Sequence, residues 1–209
     1  MVSLAALPDA WRNVPTLRGR HVVLEQLVPA HADGLRAVVA DGVLPALWYT
    51  GVPAAGAVDA WLADALAAQA CGECLPFAVR DAAGELVGTT RFYDFDPAVP
   101  RLSIGYTWYA PRVQRTGLNT EAKCLLLAHA FETLGCAAVA FETSWHNLAS
   151  RAAIARLGAR QDGVLRAHKR HADGSLRDTV AFSILSHEWP AVRSNLRHRL
   201  ERHCPEPHA

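Results

Sequence analysis

Between Glu121 and Leu134, the side chains of Leu125, Leu126, Leu127, Ala130, Phe131 and Leu134 cover most of the circumference of a helix. A helix that is apolar nearly all round cannot lie on a surface, so it must be buried against a sheet. Gly135 ends it in the usual way. The segment before it, Leu102 to Tyr109, alternates like a strand. Leu102, Ile104, Tyr106 and Trp108 face one side, and Ser103, Gly105, Thr107 and Tyr109 the other.

The rest of the chain fits around that unit. His21 to Leu27 reads as a strand stopped by Pro29, and His31 to Ala40 and Val58 to Ala70 have helical spacing. Pro45, Gly51 and Pro53 break the chain between those helices. Pro76 to Arg80 and Glu85 to Phe92 are strands joined at Asp81-Ala82-Ala83-Gly84. After the buried helix, Ala138 to Ser144 is a strand. Asn147 to Leu157 is a helix opened by an N-cap Asn and closed by Gly158. Gly163 to Lys169 and Thr179 to Leu185 form a last hairpin. The order is β-αα-βββ-α-β-α-ββ, an α+β (mixed α/β) chain. Its sheet should open where hairpins give way to helical crossovers, and ligands sit at such openings.

No repeat or low-complexity linker divides the 209 residues, so the reading is one domain over 1–209, with its core at about 20–189. Residues 190–209 form a basic C-terminal tail. From Trp189 to His203 this tail has helical spacing, with Val192, Leu196 and Leu200 on one stripe. The chain is 51% apolar, ample for a core, and its balance of 21 basic against 20 acidic residues leaves +1. Coating nucleic acid or an anionic membrane needs a larger basic excess. Pro8, Asp9, Arg12, Asn13 and Pro15 interrupt the first 20 residues, which carry no leader pattern. No apolar stretch approaches the roughly 20 residues needed to span a bilayer. The five cysteines, an odd number, read as reduced thiols of a cytoplasmic protein. Cys71 and Cys74 have redox or zinc spacing but lack a completing set, so they read as a helix-to-strand turn and no metal is expected.

Chemistry concentrates in Gln114-Arg115-Thr116-Gly117-Leu118-Asn119-Thr120-Glu121-Ala122. Pro111 stops the preceding strand, Gly117 permits close backbone approach, and a helix start follows whose free N–H groups attract anions. Arg112 and Arg115 add positive charge. Such a turn is a phosphate cradle or an ordinary strand-to-helix connection.

The stretch resembles the acyl-CoA pyrophosphate loop of the GNAT acetyltransferase superfamily, Gln/Arg-x-x-Gly-x-Gly/Ala. Gln114 and Gly117 match that pattern, and Asn119 stands where a small residue is usual. Asn147-Leu148-Ala149-Ser150, followed by Ile154, Leu157 and Gly158, is similar to the family's next helix. Gly163 to Arg166, Asp178 to Leu185 and Glu188-Trp189 extend the likeness, which is nearest to the RimL/RimJ-like branch of ribosomal-protein N-terminal acetyltransferases.

The resemblance implies a central, mostly antiparallel seven-stranded sheet flanked by about four helices, with the fourth and fifth strands splayed. It also implies acetyl-CoA as co-substrate and direct attack on it by a primary amine in a ternary complex. The amine would belong to a protein N-terminus or a small molecule. The residues implied to hold the cofactor are Thr107, Trp108, Tyr109, Gln114, Arg115, Thr116, Gly117, Leu118, Asn119, Asn147, Ser150 and Ile154. Ser150 is the implied proton donor to the leaving thiolate, because Ile154 occupies the position of the usual tyrosine. Glu142 and His146 are the candidate general bases, with a water wire as competitor. Trp48 and Tyr49, near Trp61, are expected to meet the acceptor. Nucleic acid and membrane are not expected partners, and a homodimer stays open. From another class, the alternative is an acyl-CoA-binding or regulatory module that has lost catalysis.

Overall fold

The computed structural model describes residues 8–40 and 42–202. Eight strands form one sheet: β1 (Leu17–Arg18), β2 (Val22–Gln26), β3 (Cys74–Asp81), β4 (Leu86–Asp96), β5 (Arg101–Tyr109), β6 (Ala138–Ser144), β7 (Arg160–Arg170) and β8 (Leu176–Leu185). Their spatial order is β1-β2-β3-β4-β5-β6-β8-β7. Among the described residues, five α-helices accompany them: α1 (Ala32–Val39), α2 (Val58–Ala70), α3 (Gly117–Ala128), α4 (Leu148–Leu157) and α5 (Trp189–Glu201). The mostly antiparallel α+β architecture is the one expected. An eighth strand is added because β1, at two residues, is too short to show any periodicity.

Among the described residues β5 and β6 are the one parallel pair, as a strand-helix-strand crossover requires. They pair only at Arg101↔Ala138, Leu102↔Val139 and Ser103↔Ala140, and beyond that point the two strands separate. On its other edge β5 does not keep strict alternation. Its pairing with β4 slips between Thr89↔Trp108 and Arg91↔Gly105, which leaves one extra residue in β5. Tyr106 takes φ 52° at this bulge and is 56% exposed, and beyond it the expected alternation is inverted: Trp108, opposite Thr89, shares the face of Gly105, opposite Arg91, and lies on the other side of the sheet from Leu102 and Ile104.

The buried helix begins at Gly117 rather than Glu121. Thr116 caps it by accepting from the Leu118 N–H at 3.2 Å, and its own hydroxyl donates to the Val113 carbonyl at 2.7 Å. The apolar spacing starts later than the helix does, because its first turn holds Gly117, Asn119 and Thr120. The helix ends in a π-turn over His129–Thr133.

The sheet covers only one side of α3. Leu126 and Leu127 are fully buried, and the other flank is covered by α5, whose Trp189 stacks on Phe131 at 5.5 Å. Val192 and Leu196 of the anticipated tail stripe are buried, whereas His203 lies outside the described residues. Glu132 accepts from the Trp189 indole and from Arg193, each at 2.8 Å, and so fixes the start of α5 beside the end of α3. The two helices therefore run antiparallel. No helix among the described residues is long and apolar enough to cross a membrane.

Candidate active site

β5 and β6 are parallel, so both C-terminal ends reach the same edge of the sheet, and α3 and α4 start there. The anticipated residues fall around this opening, in unequal roles. Thr107 to Tyr109 lie on the β5 side, Gln114 to Asn119 at the start of α3, and Asn147 and Ser150 at the start of α4. The Gln114 amide donates to the Tyr109 carbonyl at 3.0 Å and ties the loop to the strand end. Arg115, at φ 63°, turns the chain into the Thr116 cap. The cap accounts for the Leu118 N–H, while the other N–H groups of the first turn have no partner within the helix. The Asn147 side chain caps α4 by accepting from the Ser150 N–H at 3.0 Å. Ser150 sits in the first turn, half-buried.

Several expected contacts are with the core instead. The side chains of Trp108, Tyr109, Leu118 and Ile154 are all buried, so any part they play in binding a ligand belongs to their backbone. Arg112 pairs with Asp81 at 2.6 Å and is not part of the loop's free charge. In its place, Arg156 of α4, Arg199 of α5 and Arg202, the C-cap of α5, line a cleft of about 350 Å³ with Arg115, Thr116 and Thr120.

The opposite face of the sheet carries α1 and α2. Trp48 and Tyr49 touch there at 5.6 Å, and the half-exposed Trp48 ring also lies 5.2 Å from His146 and 4.8 Å from His171. Trp61 does not join them: it packs on Trp108 at 5.5 Å, with the Arg91 guanidinium 5.4 Å from its ring. Arg91, buried, also lies 4.1 Å from the Tyr106 ring, and Tyr106 meets Tyr93 at 5.1 Å. Gly105 makes room for Tyr93, since a Cβ there would stand 2.8 Å from the Tyr93 ring. Burial, with Glu142 and Asp94 nearby, raises the Tyr93 phenol above its ordinary range. Glu142 itself is bound to Lys169 at 2.7 Å.

Lys123 was not anticipated. Buried beneath the bulge, its Nζ donates to Thr107 at 2.7 Å and to Thr90 at 3.1 Å. No carboxylate meets it, and burial lowers its amine to about 7. The sequence held one cue: Lys123 stands i−3 and i−4 to Leu126 and Leu127, on a helix read as apolar all round. Arg156, Arg199 and Arg202 gave none, because two separate helices, α4 and α5, bring them together at the start of a third.

Residues 21–160 match the family described as "Acetyltransferase (GNAT) domain". A curated relative in Bacillus subtilis (strain 168), "Putative ribosomal N-acetyltransferase YdaF", is 32% identical over 106 residues, 51% of this chain. The match spans 57% of that relative's length. A GCN5-related N-acetyltransferase from Brucella melitensis superposes with TM-score 0.81 at 31% identity, covering 94% of this chain and 89% of that one. RimJ of Mycobacterium smegmatis, solved in complex with CoA-disulfide, shares the fold at TM-score 0.75 and 23% identity, covering 91% and 96%.

Proposed function

The chain belongs to the GNAT acetyltransferase family, and on that premise we propose that it is an acetyl-CoA-dependent N-acetyltransferase acting on the α-amine of a protein N-terminus. The observation that carries this is the separation of β5 from β6 after Ser103 and Ala140, beside a helix start whose Thr116 cap occupies only the Leu118 N–H. A strand edge left unpaired inside a sheet accepts an extended, amide-bearing ligand as if it were another strand. The helix start beside it favours anions. Those two features suit the pantetheine arm and the pyrophosphate of acetyl-CoA.

Acetyl-CoA, when bound, supplies an acetyl thioester to an incoming amine. The chain's own residues do the remaining work. Arg115 and the free N–H groups of Gly117 and Asn119 hold the pyrophosphate, and backbone N–H near Thr107 to Tyr109 polarises the carbonyl. Ser150, at the start of α4, gives a proton to the departing sulfur. His146 carries no ion pair among the described residues and lies beside the exposed Trp48, so it takes the proton of the acceptor ammonium. Glu142, whose charge is matched by Lys169, is the alternative base. Trp48 and Tyr106 are about half exposed, and such an open wall suits a chain end better than an enclosed metabolite. The name of the Bacillus relative points the same way.

The test is a thiol-release assay with acetyl-CoA and two panels: peptides with free or blocked N-termini, and small amines. Release with free-N-terminal peptides alone is expected. Turnover confined to small amines would replace the acceptor assignment. Silence in both panels, with acetyl-CoA still raising the melting temperature, would leave only a binding module.

A further inference from the structure

The cleft between α3, α4 and α5 holds more positive charge than a pyrophosphate cradle needs. Arg115, Arg156, Arg199 and Arg202 all line it, and no carboxylate is among its lining residues. Several arginines elsewhere are matched by a carboxylate: Arg112 with Asp81, Arg160 with Glu188, Arg166 with Asp178, and Arg193, on α5 itself, with Glu132. Among the cleft arginines, only Arg199 has a side-chain contact, a neutral one to Asn195 at 3.2 Å. Four like charges around about 350 Å³ repel one another unless an anion joins them. The dipole of α5 favours cations in its last turn, but it does not explain why Arg115 and Arg156 face that end.

The arrangement is built, not incidental. Glu132 anchors the start of α5 beside the end of α3, and Val192 and Leu196 bury its inner face. The antiparallel run then delivers Arg199 and Arg202 to the start of α3. The family match ends at residue 160, so these two arginines lie outside it. Guanidinium groups converging from several elements suit a phosphomonoester, a compact dianion with three acceptor oxygens.

We propose that Arg156, Arg199 and Arg202 form a phosphomonoester site for the 3′-phosphate of CoA, so that α5 selects CoA over dephospho-CoA. The inference rests on the acetyl-CoA reading above. The helix start with Arg115 takes the pyrophosphate, and the three further arginines take the phosphate on the ribose. The charge that α5 brings thus serves cofactor discrimination.

Calorimetric titration of the full chain with CoA and with dephospho-CoA, which lacks only that phosphate, tests this without turnover. Wild type is expected to bind CoA at least tenfold more tightly. The Arg199→Ala/Arg202→Ala double variant should bind dephospho-CoA within twofold of wild type and CoA no better than dephospho-CoA. Arg202→Lys should restore part of the preference, and unchanged helical circular dichroism would show that α5 stays docked. In competition, adenosine 3′,5′-bisphosphate should displace CoA better than ADP does, and inorganic phosphate weakly. Equal binding of the two cofactors by wild type overturns the proposal. So does an equal loss of both in the double variant, which would assign the arginines to the pyrophosphate. If wild type binds neither cofactor, the acetyl-CoA reading itself falls.

Discussion

β5 behaves as two different strands along its nine residues. Its first part, Arg101 to Ser103, is joined to neighbours on both sides and carries the fully buried Leu102. Its second part keeps β4, loses β6, bulges at Tyr106 and ends beside the start of α3. The contrast shows how one sheet supplies both rigidity and a binding edge. The paired end fixes where the strands begin to diverge, and a helix at each C-terminal end keeps them apart. The cost of unpaired backbone is met only where a ligand or water can reach it.

The largest effect should come from the paired end. Leu102→Ala should lose about 2–5 kcal/mol of stability in urea unfolding, as a large-to-small change in a closed core does, while acetyl-CoA still raises the melting temperature. Gly117→Glu makes the complementary cut at the open end. It should abolish that ligand-induced rise, worth roughly 2.7 kcal/mol at a hundredfold excess over Kd, even if the melting point without ligand shifts. If both variants lost the ligand response together, the two ends would not be separable as described.

Two substitutions then sharpen the chemistry of the open end. Ser150→Ala should lower kcat about 100-fold with acetyl-CoA affinity unchanged, as expected for a proton donor. An unaltered rate would remove Ser150 from the mechanism. His146→Gln should lower kcat/KM by a similar factor and flatten the rise of kcat/KM with pH, because a base works only when unprotonated. A retained acid limb would move the proton to Glu142 or to water.

The smallest effect concerns Lys123, buried beneath the bulge. Its folded amine titrates near 7 and its unfolded amine near the ordinary 10.5, so between those values the unfolded chain binds the extra proton. Stability should therefore rise as pH goes from 7 to 8.5. Above that, Cys136, pushed up to about 12 by burial, begins to oppose the trend. Lys123→Met should lose the rise, read as equal urea midpoints at the two pH values.

Periodicity and turn chemistry made the framework legible. Alternation marked β5, the all-round apolar pattern marked α3 as buried, and Asn147 with Gly158 bounded α4. Local rules failed where the structure departs from a period. The bulge at Tyr106 adds a residue that no alternation announces, and the capped first turn of α3 hides its start behind glycine and polar side chains. At the site, the loop of Gln114 to Asn119 was readable because contiguous residues build it. The arginine cleft was not, because its members are some 40 and 80 positions apart and meet only through the packing of α5 on α3. Arg112, which looked like part of the cradle, belongs to the β3–β4 hairpin through Asp81.

Glu121, in the second turn of α3, accepts hydrogen bonds from the backbone N–H groups of Arg20 and His21, about 100 residues earlier, at 2.9 and 2.5 Å. Contacts of such sequence separation form late, since the entropy of closing the loop must be met first. The anion-facing end of α3 is therefore knit into the β1–β2 turn only once most of the sheet exists. A partly folded chain has its cradle residues in hand but not their brace, so ligand capture becomes a readout of finished folding.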